Sequence, residues 1–252
     1  MKTAERHRLK ENEVAIGLEH ARQVLQSRGR PLLVGLIAVA VIAAAIGGYW
    51  YWQKNRNERA ALLLAEARRI ESAAIVPQET PAEGSTATPS TPPPGSYPTE
   101  AARNEAALAK YRETATAFPN TVSGIAAQFH LARLLAEMGK TSEAEQAFEE
   151  VVRRDGNGLH GRMARLGIAS IQIETGRYDP AIQTLNELSQ RTDTDLPVDG
   201  ILMQLGDAYA RAGRIFEAVS TYTRIAEDFP ESPFASDARA EVDRLKAGTP
   251  RA

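Results

Sequence analysis

The sequence predicts an all-α protein: one membrane-spanning helix followed by an α-solenoid of helix–turn–helix repeats with a period of 37 residues. Three observations carry that expectation. Leu32–Trp52 is a run of 21 residues without a charged, amide or hydroxyl-aliphatic side chain. Four marker positions recur at intervals of 37 through the C-terminal part. Between the markers helix-forming residues dominate, and Gly and Pro fall at the joints.

The apolar run comes first in the argument. At 1.5 Å per residue, a helix of this length crosses the roughly 30 Å hydrocarbon core of a bilayer. Arg28 and Arg30 precede it, and Lys54 and Arg56 follow it. Tyr49, Trp50, Tyr51 and Trp52 close it with rings suited to the headgroup level. A cleaved signal peptide has a shorter charged leader and a shorter apolar core, so an anchor is the better reading. Ala40, Ala44 and Gly48 form a small-residue ladder that would let a second helix approach, giving a homo-oligomer as an alternative use of the span.

Residues 1–30 form a polar tail with seven Lys/Arg and four Asp/Glu. Val14, Leu18, Ala21 and Leu25 share one helical face, as in a short amphipathic helix. The 20 residues before the span carry three basic side chains and the 20 after it carry five, so the local count does not set the orientation. The basic tail as a whole, with a large C-terminal domain that translocates largely regardless of charge, predicts a cytoplasmic N-terminus. The expected division is 1–30 tail, 31–53 transmembrane helix, 54–76 juxtamembrane helix, 77–99 linker, 100–246 solenoid and 247–252 flexible C-terminus.

Residues 56–75 are rich in Ala and Leu with no Gly or Pro, and Leu63, Ala67, Ile70 and Ala74 share a face. In 77–99, seven residues are Pro, and Pro, Ser, Thr and Gly make 17 of 23. Such composition buries too little apolar surface to offset ordering entropy and predicts an extended linker, looped out if 56–75 belongs to the first repeat. Pro89 and Pro92 have the spacing of a polyproline ligand, although most such tracts are spacers.

The cleanest repeat is 202–230, LMQLGDAYARAGRIFEAVSTYTRIAEDFP. In steps of 37, Gly213 corresponds to Gly176 and Gly139, and Ala218 to Ala181, Ala144 and Ala107. Tyr222 corresponds to Leu185, Phe148 and Tyr111, and Pro230 to Asp193, Gly156 and Pro119. A fixed period of 20–50 residues is the mark of a stacked array. The small residue lets two helices approach, and the large residue four later fills the space beside it. The three glycines can take positive φ where the first helix ends. Asp179–Pro180 and Ser142 with Glu145 read as helix starts, and 234–248 reads as a polar-faced capping helix.

Leu205, Gly206, Tyr209, Gly213, Ala218, Tyr222 and Pro230 resemble, in order, the pattern of a tetratricopeptide repeat (TPR). The second and third copies match more loosely, and the period is 37 where the family usually has 34. The layout also resembles bacterial single-pass membrane-anchored TPR proteins, such as the ancillary TPR subunit of the Sec translocon. That resemblance implies an inner-membrane anchor, periplasmic repeats and a role as a scaffold for protein partners in translocation or envelope complex assembly. It further implies a concave groove lined by the first helix of each repeat. The matching positions are Phe129, Arg133 and Glu137, then Leu166, Ser170 and Glu174, then Met203, Asp207 and Arg211. Mixed charged and apolar residues there suit a protein or peptide ligand. The other reading of Phe129, Leu166 and Met203 is that they are packed inside the array.

Catalytic chemistry finds little to stand on. A chain of 252 residues with net charge −2 lacks the basic surface that a nucleic-acid partner requires. No cysteine occurs, which excludes disulfides, thiol nucleophiles and thiolate metal sites. His130 and His160 have no His or Cys partner at ligand spacing. Gly156, Gly158 and Gly161 spell a dinucleotide motif, but after a helix and not after a strand. Gly139-Lys140-Thr141 ends like a phosphate-binding loop, yet Leu134 stands where Gly is needed. Asp193, Asp195 and Asp199 have calcium-loop spacing, but Pro197 and Gln204 hold two ligand positions. The sequence therefore predicts no enzyme, no cofactor and no catalytic or metal site.

Overall fold

The computed structural model describes residues 3–77, 93–190 and 196–248, with side chains from residue 33 onward. The chain divides into two units, Met1–Asn55 and Arg56–Ala252. Helix α1 (Thr3–Glu71) contributes to both. In the first unit, the apolar side chains from Leu33 to Trp52 are exposed, Leu36 and Trp50 at 72% each. Leu33–Glu71 contains a stretch of mean hydropathy 2.2 with none of it buried, long and apolar enough to cross a membrane. The side chains of Val14, Leu18, Ala21 and Leu25 lie outside the described residues.

The described part of the second unit is built of helices: residues 56–71 of α1, then α2 (Glu100–Ala117), α3 (Val122–Glu137), α4 (Thr141–Asp155), α5 (Leu159–Glu174), α6 (Tyr178–Ser189), α7 (Val198–Arg211), α8 (Ile215–Asp228) and α9 (Ala235–Gly248). Among the described residues they form four antiparallel pairs closed by α9. Residues 56–71 bury Ala60, Leu64 and Ala67, the last two in one core with Ala107, Leu108 and Tyr111 of α2, so they are the first helix of the first pair. The buried face is 60/64/67. Leu63 is half-buried, and Ala74 lies past the helix end.

The period is visible atom by atom at the turns. Gly139, Gly176 and Gly213 have φ of 74°, 76° and 74°. After each, the next N–H reaches back to a carbonyl five residues earlier: Lys140 to Leu135 at 2.9 Å, Arg177 to Gln172 at 2.7 Å and Arg214 to Tyr209 at 2.9 Å. This is the Schellman arrangement, which satisfies the last carbonyls of the first helix. It also starts the second helix sooner than the sequence motifs imply. The caps of α4 and α6 are Lys140 and Arg177, neither with a side-chain cap bond. Ser142 and Asp179–Pro180 therefore sit inside the first turn and are not caps. Glu145 instead accepts both Nη atoms of Arg177, at 2.9 and 2.7 Å, across to the next repeat.

Packing follows the marker positions. Ala107, Ala144, Ala181 and Ala218 are each fully buried, and Tyr111, Phe148, Leu185 and Tyr222 are at most 4% exposed. Gly206 shows why a small residue is needed beside such a ring: a Cβ there would lie 2.4 Å from Tyr222 Cε1. The described ends of the Pro-rich segment are paired with each other. Ile75 and Tyr97 form a parallel bridge, with Tyr97 N–H donating to Ala74 O at 3.0 Å and Val76 N–H to Tyr97 O at 2.9 Å. Residues 78–92, on which most of the linker expectation falls, and 249–252 of the C-terminus lie outside the described residues.

Candidate partner-binding groove

The first helices α3, α5 and α7 pack successively against one another and form one layer of the solenoid. Phe129, Leu166 and Met203 sit on them at equivalent positions, and all three are half-buried. Phe129 turns its ring into an aromatic group, with centroids 5.9 Å from His130, 5.7 Å from Phe148 and 6.0 Å from His160. It serves the packing of α3 on α4 and α5. Leu166 and Met203 come together instead, lining one cavity of about 220 Å3 with Ile201 and Phe234.

The next set of positions is polar. Arg133 forms ion pairs with Glu137, one turn along α3, and with Glu71 of α1. Ser170 turns back on its own helix, its Oγ donating to Leu166 O at 3.1 Å. Asp207 accepts the Tyr222 hydroxyl at 2.8 Å. Glu137, Glu174 and Arg211, the last set, are all exposed.

A polar network at the junction of the first two repeats was not legible in the sequence. Tyr111 donates its hydroxyl to Glu71, whose other oxygen takes Arg133. Arg68 donates to His130 Nε2 at 3.1 Å, and the His130 ring stacks on Tyr111 with centroids 5.3 Å apart. Burial raises the Glu71 carboxyl, but the bonds from Tyr111 and Arg133 outweigh it and hold the group below its ordinary value. Burial first, and the Glu71 carboxylate second, push the Tyr111 phenol up. Burial first, and the Arg68 charge second, pull His130 down to about 4, so its ring is neutral at pH 7. The available signal was the pairing Tyr222–Asp207, but subtracting the period from Arg133 leads to Ser96. The Pro-rich insertion displaces the equivalent residue to Glu71.

The motif-like segments have structural roles. Asp155 Oδ2 accepts from Gly161 N–H at 2.9 Å, so the chain's own carboxylate faces the start of α5, where a nucleotide site would hold phosphate. Gly139 is the turn residue after α3. Asp193 and Asp195 lie outside the described residues. Among the described residues, no group of three or more His, Asp and Glu is arranged to hold a metal ion.

Paired antiparallel helices, one turn geometry repeated every 37 residues and a layer of first helices restrict the comparison to helical repeat families. A family model described as a tetratricopeptide repeat-like domain matches residues 22–238. The chain belongs to the TPR-like domain family. Two solved structures agree on the fold. TPR-like repeats from a Podosopora anserina protein described as a putative kinesin light chain match at TM-score 0.55 and 15% identity, over 76% of this chain and 87% of that one. A point variant of the same repeats matches at TM-score 0.55 and 16% identity, over 76% and 86%. MamA from Desulfovibrio magneticus RS-1 gives TM-score 0.45 at 17% identity, over 59% and 89%. A comparison with curated proteins gives no significant match. The fold is that of a scaffold for protein–protein interaction.

Proposed function

We propose that this chain is a single-pass membrane scaffold. Its tail is cytoplasmic, Leu32–Trp52 crosses the bacterial inner membrane, and its TPR array binds client or partner proteins on the periplasmic side. The array would serve protein translocation, as an accessory of the Sec machinery, or the assembly of an envelope complex. The observation that carries this reading is the reach of the family match. It begins at residue 22 and so takes in the apolar helix together with the repeats. Side chains 33–52 are exposed, as lipid-facing side chains must be. Partners would meet the array along the positions Arg133, Glu137, Leu166, Glu174, Met203, Asp207 and Arg211, while Phe129 and Ser170 shape its floor.

Topology is the first test. Ser90→Cys gives the chain a unique thiol, since it has no cysteine. Spheroplasts are treated with a membrane-impermeant maleimide. Labelling of intact spheroplasts supports the periplasmic placement, and labelling only after lysis rejects it. A homo-oligomer through Ala40, Ala44 and Gly48 is the second reading, supported by the four-residue spacing of these small residues along the span. Mass measured in detergent decides it: a strict monomer removes it.

A further inference from the structure

The cavity beside Leu166 and Met203 is a consequence of how the repeats differ. One period earlier, Phe129 and Met163 stand at the places of Leu166 and Gly200. Phe129 fills its site with a ring packed on Phe148 and His160. Between α5 and α7 the two positions shrink to Leu and Gly, and about 220 Å3 stays open between Leu166, Pro197, Gly200, Ile201, Met203 and Phe234. That volume is below the roughly 300–1,000 Å3 of small-molecule sites. It suits one large side chain, the way an interface anchor fills a pocket. The wall is apolar except for Gln204, whose Oε1 is buried and finds no hydrogen-bond partner among the described residues.

The charges around it have a sign. Asp207 follows Met203 by one turn, Glu174 follows Leu166 by two, and Asp199 precedes Gly200. Asp199 already receives Ser232 Oγ at 2.6 Å, and Asp207 receives Tyr222. Against these carboxylates stand Arg211, two turns past Met203, and Arg162, which is buried and directed to Asn157 O at 2.6 Å. The exposed balance on this face of α5 and α7 is acidic.

We infer that this socket is the anchor point of the groove and takes one large apolar side chain from an extended partner segment with basic neighbours. The inference rests on the reading of the array as a partner-binding scaffold and specifies what the partner must offer.

The probe is a fluorescein-labelled peptide, Gly-Ser-Lys-Phe-Lys-Ser-Gly, titrated by anisotropy against the full chain in lipid nanodiscs. Replacing its Phe by Ala is expected to weaken binding by about tenfold, and replacing both Lys by Glu by a similar factor. In the protein, Leu166→Phe installs the residue found one repeat earlier. It should weaken the Phe peptide by about tenfold with an unchanged melting temperature. Phe216→Ser, at an exposed residue of α8, should leave binding as it was. Met203→Ala provides a second variant: it enlarges the socket and should shift the preference from Phe toward Trp. Equal binding of the Phe and Ala peptides, indifference to Leu166→Phe, or no binding up to about 1 mM peptide overturns the socket. The broader scaffold reading is separated by photo-crosslinking in cells from p-benzoylphenylalanine at position 137. Adducts formed by the parent chain and lost in Leu166→Phe support the socket, an adduct that persists in Leu166→Phe retains the groove and removes the socket, and no adduct with the parent chain removes both.

Discussion

Tyr111 donates its hydroxyl to Glu71, a residue 40 positions earlier on the far side of the Pro-rich insertion. Tyr222, three periods later, donates to Asp207, only 15 positions earlier. The two bonds are the same contact, second helix to first helix within one repeat. The first shows that residues 56–71 complete the opening repeat despite the insertion between its helices.

Removing either hydroxyl tests what burial adds to this contact. Tyr222→Phe should cost about 1 kcal/mol in urea unfolding, because the exposed Asp207 regains water. Tyr111→Phe should cost more, since the Glu71 side chain is only 21% exposed and loses one of two donors. Equal costs, or a smaller cost at Tyr111, would show that the burial of Glu71 adds nothing to its contact.

The Glu71–Arg133 pair joins the first repeat to the second. A double-mutant cycle with Glu71→Gln and Arg133→Met should give a coupling of about 1 kcal/mol at low salt. The side chains are 21% and 35% exposed, so high salt should reduce the coupling only in part. A coupling near zero at low salt would mean the pair positions nothing.

Acid should loosen this junction. His130 is held neutral down to about 4, whereas an unfolded histidine takes a proton near its ordinary value of 6.5. Between those values the unfolded state binds more protons, so stability rises with pH and falls on acidification through that window. Glu71 acts in the same direction at lower pH: its depressed carboxyl stabilises the fold above its ordinary value of 4.5, and that gain is lost as pH falls through the lower native value. His130→Phe keeps a ring for Tyr111 to stack on and removes the titration. Its unfolding midpoint should therefore be flatter from pH 6.5 to 4 than that of the parent chain. An unchanged slope would refute the assignment.

Gly206 is a position of close approach. Gly206→Ala would place a methyl 2.4 Å from the Tyr222 ring and should cost about 1–3 kcal/mol by overpacking. Pairing it with Tyr222→Leu, the residue of the third repeat at that place, should recover most of the loss. Failure of the second change to rescue the first would mean that the glycine is needed for another reason.

Much of this molecule was legible in the chain. Gly139, Gly176 and Gly213 were readable as the turns because a backbone that needs positive φ selects the residue without a Cβ. Ala107 and its equivalents, with the large residues four positions on, were readable because helical spacing puts both on the face toward the neighbour. The candidate groove was legible only in part. Leu166 and Met203 share a cavity while Phe129 fills its own site, a difference made by Gly200 and Phe234 at positions far from Leu166 in sequence. The expected caps at Ser142 and Asp179 failed because the Schellman turn fixes where the second helix begins, and a local motif cannot override it.

Sequence by itself determined the elements that depend on neighbours along the chain: an apolar helix of membrane length, the period, the turns and the buried faces. The physical reason is that helix pitch and backbone sterics are local. Tertiary structure alone decided what crosses a gap in sequence: residues 56–71 as the first helix of the first repeat, Glu71 as the partner of Tyr111 and Arg133, and the opening between α5 and α7. Those depend on which side chains meet after the helices have packed, and side-chain volume and charge at such contacts obey no period.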